Sequence, residues 1–164
     1  NEMGDNVPIG HTGQLWVRSP GLMKGYYRSP ELTAEVINHE GWFNTGDLAY
    51  LLEDGSLIIA GRSKELIIRS GFNVYPLEVE EVLNTYPGVV QSAVVGREIR
   101  DNEEVIAFVE LKAGASLNHS EMQAFLRQRL SPYKVPSEIR VLESLPCAPS
   151  GKILKHQLKK QANL

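Results

Sequence analysis

The chain of 164 residues has a single cysteine, Cys147, which excludes an internal disulfide. No histidine or acid cluster surrounds it to suggest a metal site or an activated nucleophile, so it reads as structural, and no metal-ligating residue is expected. Such cysteine usage suits a reducing compartment and gives a cytoplasmic location as the expectation. Long hydrophobic runs are lacking too. No stretch approaches membrane-spanning length, and the opening "NEMGDNVPIGHTG" is polar with no apolar signal core, so no integral membrane segment is expected. It also starts without a convincing initiator, which reads as a piece of something longer. An excess of positive charge is missing: 17 Lys and Arg stand against 20 Asp and Glu, a net charge of −3. That balance argues against nonspecific binding to nucleic acid or membranes. The exception is local, because residues 150–164 carry Lys152, Lys155, Lys159 and Lys160 without one acid. This is either a basic patch or a solvated tail.

What is present suffices for real cores, with 42% apolar residues. The first third is broken by turn residues: "DNVPIG", "HTG", "SPG" and "EDGS". Short strands fit between them at Gln14–Ser19, Asp47–Leu52 and Ser56–Gly61, the last two joined as a hairpin in which Gly55 supplies the positive φ. In "SPELTAEVI", Ser29 is an N-cap, Pro30 fits the first helical position, and Leu32, Val36 and Ile37 form an apolar stripe. Residues 1–61 therefore read as a small β-rich unit, incomplete at its beginning.

From Arg62 the pattern changes. "ELIIRSGFNVY" predicts a strand broken at Gly71, and "PLEVEEVLNTYP" a helix opened by Pro76 and closed by Pro87-Gly88. "VVQSAVVG" and "EVIAFVELKA" are β-branched strands. "NHSEMQAFLRQRL" is a helix capped by Asn118, with Glu121 three residues on and Met122, Phe125, Leu126 and Leu130 on one face. "SEIRVLES" is a strand, and the basic tail a last helix. The fold class is thus α+β: a β-rich unit followed, over 62–164, by a split βαβ domain of order β-α-β-β-α-β with helices on one face.

Singly, the candidate motifs are ambiguous. Gly151-Lys152 at the mouth of the last helix suggests a phosphate contact, because glycine turns N–H groups toward an anion and the helix start is electropositive. From these residues alone an ordinary exposed lysine is the favoured reading, because Gly-Lys is a common dipeptide. The P-loop pattern fails, since Pro146 stands where its first glycine belongs and Ile153 where Ser or Thr would hold magnesium. In "GWFNTGD", Asp47 follows a Thr-Gly turn at the start of a strand and could accept from a ribose diol, or only from turn amides. In "GRSKE", Arg62 and Lys64 are linker charges at the joint of the two units. "IAFVEL", Ile106–Leu111, is similar to half of an RNA-stacking strand, but Glu103 and Glu104 precede it and Leu111 ends it, so a buried core strand fits better.

Taken together and in order, Gly13–Tyr26, "GWFNTGD", "GRSKELIIRSGFNVYPLEVE" and "LPCAPSGK" resemble the later core motifs of the adenylate-forming superfamily: acyl-CoA synthetases, adenylation domains of peptide synthetases, and luciferases. The match spans nearly the whole chain. The resemblance implies an acid-thiol ligase in which a carboxylic acid and ATP give acyl-AMP and the acyl group then passes to a thiol, with a mobile C-terminal domain rotating between the steps. It further implies that Asp47, Ile59 and Arg62 line the nucleotide site, that Lys64 is the hinge, and that Lys152 is the catalytic lysine of adenylation, joining Arg62 in one site only in one domain arrangement. Gly71 in "RSGFNVYP" resembles the stretch lining a pantetheine tunnel, which favours CoA as acceptor over a carrier-protein thiol. Lys155 departs from the family, which often has Arg there. The family's phosphate loop, its acyl pocket and most of its Mg2+ contacts lie upstream in an N-terminal domain that would be this chain's partner, so the fragment is expected to be inactive alone. Two rivals remain: a stand-alone nucleotide- or CoA-binding regulatory module, and an RNA-binding split βαβ domain.

Overall fold

The computed structural model describes residues 1 and 4–164. It divides into two compact units, Asn1–Lys64 and Glu65–Leu164. The first is an antiparallel three-stranded sheet in the order β1 (Gly13–Val17), β2 (Phe43–Leu51), β3 (Leu57–Arg62), with α1 (Pro30–Val36) between β1 and β2. The β2–β3 hairpin forms as expected: Leu52 N donates to Ser56 O at 2.9 Å, and Gly55 takes φ +84° at the turn.

Two expectations need correction. Ser29 occupies the N-cap of α1, but its hydroxyl donates to Tyr27 O at 3.2 Å and caps no helical amide, and the intended apolar stripe is not buried, Leu32 being 52% exposed. The strand carrying Asp47 starts four residues earlier than the turn signals imply. "Asn-Thr-Gly" does not end pairing. Gln14 pairs with Leu48 and Trp16 with Asn44, so Thr45, Gly46 and Asp47 oppose one residue of β1 as a bulge. Among the described residues of this unit Ala49 is the one fully buried apolar side chain, while Leu57, Ile58 and Ile59 remain substantially exposed.

The second unit holds the core. β4 (Ile67–Arg69) and β5 (Phe72–Val74) form a hairpin, α2 spans Pro76–Asn84, and β6 (Val89–Ile99), β7 (Asn102–Leu111) and β8 (Glu138–Leu142) make a sheet, with α3 (His119–Arg127) between β7 and β8 and α4 (Lys155–Ala162) last. β6 and β7 are antiparallel, β7 and β8 parallel. The order of strands and helices is as expected, but the sheet is not a split βαβ. The first strand folds back on itself as β4–β5 instead of entering the sheet, because Ser70 and Gly71, both at positive φ, make a two-residue turn. Side chains dock that hairpin: Ile68 N donates to Glu103 Oε2 at 2.7 Å and Ser70 N to Asn102 Oδ1 at 2.6 Å.

Nor do the helices share one face. Val94, Val105, Ala107 and Val109 pack with α2 and α3, whereas Ala93, Val95, Ile106 and Phe108 pack with Leu158 and Ala162 of α4. A sheet covered on both sides explains the uninterrupted apolar run in β7, where alternation would mark one wet face. Ile106 to Val109 are fully buried, so this strand offers no stacking platform for bases.

Candidate functional site

The bulge in β2 aims the first set of side chains. Gly46 adopts φ +73°, a conformation that favours glycine, and its N–H donates to Asn44 Oδ1 at 2.9 Å. Thr45 Oγ1 donates to Leu15 O and accepts from Asp47 N, both at 3.0 Å. Asp47 is thereby fixed within a strand rather than at its start. Across the hairpin it pairs with Arg62, whose Nε lies 3.0 Å from Asp47 Oδ1 and whose Nη1 donates to Thr45 O at 3.0 Å. Asp47 Oδ2 carries no hydrogen bond among the described residues and remains available as an acceptor, which fits a ribose diol. Ile59 sits on β3 opposite Ala49, 42% exposed. Lys64 lies in a 3-10 turn over Ser63–Glu65, exposed, at the division between the units.

In the second unit Gly71 has a structural reason of its own. It is the second turn residue of the β4–β5 hairpin, at φ +80°, and a Cβ there would meet nothing within 4 Å. The open space is compatible with a passing ligand arm, yet the turn alone requires glycine.

Lys152 does not stand at a helix mouth. α4 begins only at Lys155, so the dipole argument for the Gly-Lys pair does not apply. Instead Lys152 lies on a tight loop closed at several levels: Leu154 N donates to Pro146 O, Ala148 N to Lys152 O and Gly151 N to Ala148 O, each at 2.8 Å. Cys147 and Ile153 form a β-bridge across it, and Gly151 takes φ +82°. The backbone is held while the exposed Lys152 ammonium has no ion pair among the described residues. A fixed base carrying a free cation can present that charge to an anion.

Two of the other lysines of the basic tail, Lys155 and Lys159, are committed to partners. Lys155 Nζ lies 2.6 Å from Glu65 Oε2 and 2.8 Å from Glu80 Oε1, and Lys159 Nζ lies 3.3 Å from Glu98 Oε1. Burial pulls the Lys155 pKa down, but the Glu80 charge and hydrogen bonds to both carboxylates outweigh it, so the ammonium titrates above its ordinary value. Sequence reasoning missed this trio. A signal existed: Pro76, Val79, Glu80 and Leu83 share the spacing of one buried helical face, and an acid on such a face needs a partner. Among the described residues no three His, Cys, Asp or Glu side chains cluster as a metal site. No helix there is long and apolar enough to cross a membrane.

Comparison with known proteins gives this geometry a family. Residues 78–152 match the AMP-binding enzyme C-terminal domain. The chain is 39% identical over 160 residues to 4-coumarate–CoA ligase-like 2 of Arabidopsis thaliana, covering 97% of this chain and 28% of that protein. It is 38% identical to the amide bond synthetase McbA of Marinactinospora thermotolerans, with a TM-score of 0.90 over 98% of this chain and 33% of the other. ATP-bound MatB of Rhodopseudomonas palustris is 37% identical, with a TM-score of 0.89 over 98% of this chain and 32% of the other. The chain thus spans about a third of the length of the relatives it matches. It belongs to the adenylate-forming superfamily, as the C-terminal portion that carries the AMP-binding enzyme C-terminal domain.

Proposed function

We propose that this chain serves an ATP-dependent acyl-CoA synthetase, with Lys152 as its catalytic lysine for adenylation. The observation that carries the reading is the exposed Lys152 ammonium, without an ion pair among the described residues, on a loop braced by three backbone hydrogen bonds, in a tail whose Lys155 and Lys159 are both engaged. In the first step a carboxylate oxygen of the substrate acid bonds to the α-phosphorus of ATP and the bond to pyrophosphate breaks. Two anions approach each other, and an ammonium positioned between them stabilises the charge that develops. Asp47 Oδ2 accepts from the ribose diol, while Arg62 fixes Oδ1 and so orients the carboxylate. In the second step a thiolate attacks the acyl carbon and AMP leaves. Lys64 is the joint whose torsions change between the steps.

The thiol of CoA is the favoured acceptor, as the sequence relatives include CoA ligases. Similarity to an amide bond synthetase supports a second reading, in which an amine takes the acyl group. Pyrophosphate release, measured over a panel of carboxylic acids, tests the first step on the full-length protein and on the 164-residue chain alone. Activity is expected from the former only. Turnover by the short chain would overturn the division of labour, and acyl-AMP consumed by amines but not by CoA would favour the second reading.

A further inference from the structure

Lys155 sits where three parts of the second unit meet. Glu65 is the first residue of that unit, and its Oε2 accepts from Lys155 Nζ at 2.6 Å across 90 positions of sequence. Glu80, on the buried face of α2, is 8% exposed. Its Oε1 accepts from Val94 N of β6 at 2.7 Å and lies 2.8 Å from the same ammonium. Lys155 itself opens α4, directly after Leu154, whose N–H closes the Lys152 loop on Pro146 O. The Lys155 side chain is only 21% exposed. At that burial an ammonium between two carboxylates is a demanding arrangement, because removing one partner leaves a charge uncompensated. The ammonium therefore holds Glu65, α2 and the foot of the Lys152 loop in one geometry.

We propose that Lys155 is a positioning residue: by bridging Glu65 and Glu80 it locks the loop bearing Lys152 to the first residue of the second unit. Glu65, α2 and the loop then turn as one piece, and the torsional change at the joint is confined to Lys64 and the residues before it. With both acids engaged, Lys155 contacts no phosphate. A lysine in place of the family's frequent arginine suits the position, since two carboxylates at different angles are met by a rotatable ammonium more readily than by a planar fork. The catalytic consequence rests on the role proposed for Lys152, whereas the clamp itself does not.

The test uses the full-length protein with Lys155→Met, Lys155→Arg and Glu65→Gln, read by hydrogen exchange and by single-turnover kinetics. Lys155→Met is expected to speed exchange at Gly151 and Leu154 by about tenfold or more while β6 and β7 keep their protection. It should slow acyl-AMP formation at saturating ATP by about tenfold, with the ATP KM unchanged and transfer to CoA less affected. Lys155→Arg should recover most of both. Glu65→Gln, which keeps an acceptor and leaves the Glu80 arm intact, should speed exchange over residues 63–68 alone; it carries the test if Lys155→Met does not fold. Unchanged exchange at the loop in Lys155→Met, or protection lost uniformly through β6 and β7, would overturn the proposal. If the loop loosens as expected but Lys152→Ala leaves acyl-AMP formation intact, the clamp stands and the reading of Lys152 falls.

Discussion

Asp47 and Arg62 face each other across β2 and β3, with Arg62 Nε 3.0 Å from Asp47 Oδ1. The Arg62 side chain is 52% exposed, so solvent screens the pair and its contribution to folding is under about 1 kcal/mol. Its value lies in aiming a carboxylate. Arg62→Ala is expected to leave urea-unfolding stability within about 1 kcal/mol of wild type. Asp47→Asn, which loses charge-assisted bonding to a diol, should raise the KM for ATP by about tenfold or more. An unchanged ATP KM in both variants would remove the pair from the nucleotide site.

Gly71 separates a folding role from a functional one. Gly71→Ala meets no neighbour but must hold φ +80°, which costs about 1–2 kcal/mol. A lowered melting temperature with both half-reactions intact is the outcome if only the hairpin needs glycine. Selective loss of transfer to CoA, with acyl-AMP formation retained, is expected if a ligand arm passes there.

At Lys64 backbone and side chain are separable. Proline fixes φ at about −65° and removes an N–H, whereas alanine removes only the charge. Lys64→Pro in the full-length protein is expected to lose mainly thioester formation, and Lys64→Ala far less of either step. Single-turnover rates for both steps decide it: equal damage from the two substitutions would assign the effect to the side chain and end the hinge reading.

Glu138 gives a pH prediction. Hydrogen bonds from Arg140 and then Arg97 hold its carboxyl below the ordinary glutamate value of 4.5. A depressed folded-state pKa contributes stability above the unfolded value and loses it as pH falls through the folded one. Glu138→Gln should therefore be less stable than wild type at neutral pH, and the gap should shrink below about pH 4.5. Because the side chain is 38% exposed, the gap should not exceed about 1 kcal/mol. Denaturation curves across that range check it, and a gap that widens on acidification would contradict the assignment.

Features governed by neighbouring residues were legible in the sequence. Asn118 caps α3 through Oδ1, which accepts from Ser120 N at 3.1 Å and Glu121 N at 3.3 Å, while its Nδ2 reaches Glu121 Oε1 at 2.8 Å. Gly55 and Pro76 likewise act where local rules put them. What depended on distant partners was not legible. The bulge at Thr45–Asp47 exists because β1 continues pairing past a stretch that reads locally as a turn. The β4–β5 hairpin is held by Glu103 and Asn102, more than 30 positions away, so one interrupted strand and a hairpin look alike in sequence. The second covered face of the sheet depends on α4, whose lysines suggested a solvated tail although Leu158 and Ala162 are buried. At the site, Asp47 and Arg62 could be picked out but not their mutual contact, and Lys155 drew attention only as a departure from a pattern.

The role of Lys152 is tested most directly by Lys152→Ala in the full-length protein, with the two half-reactions measured separately in single turnovers. The expected result is acyl-AMP formation slowed by about a hundredfold or more, the scale of losing one contact to transition-state charge, while transfer of the acyl group from supplied acyl-AMP to CoA proceeds near the wild-type rate. Equal loss of both half-reactions, or loss of neither, would contradict the account.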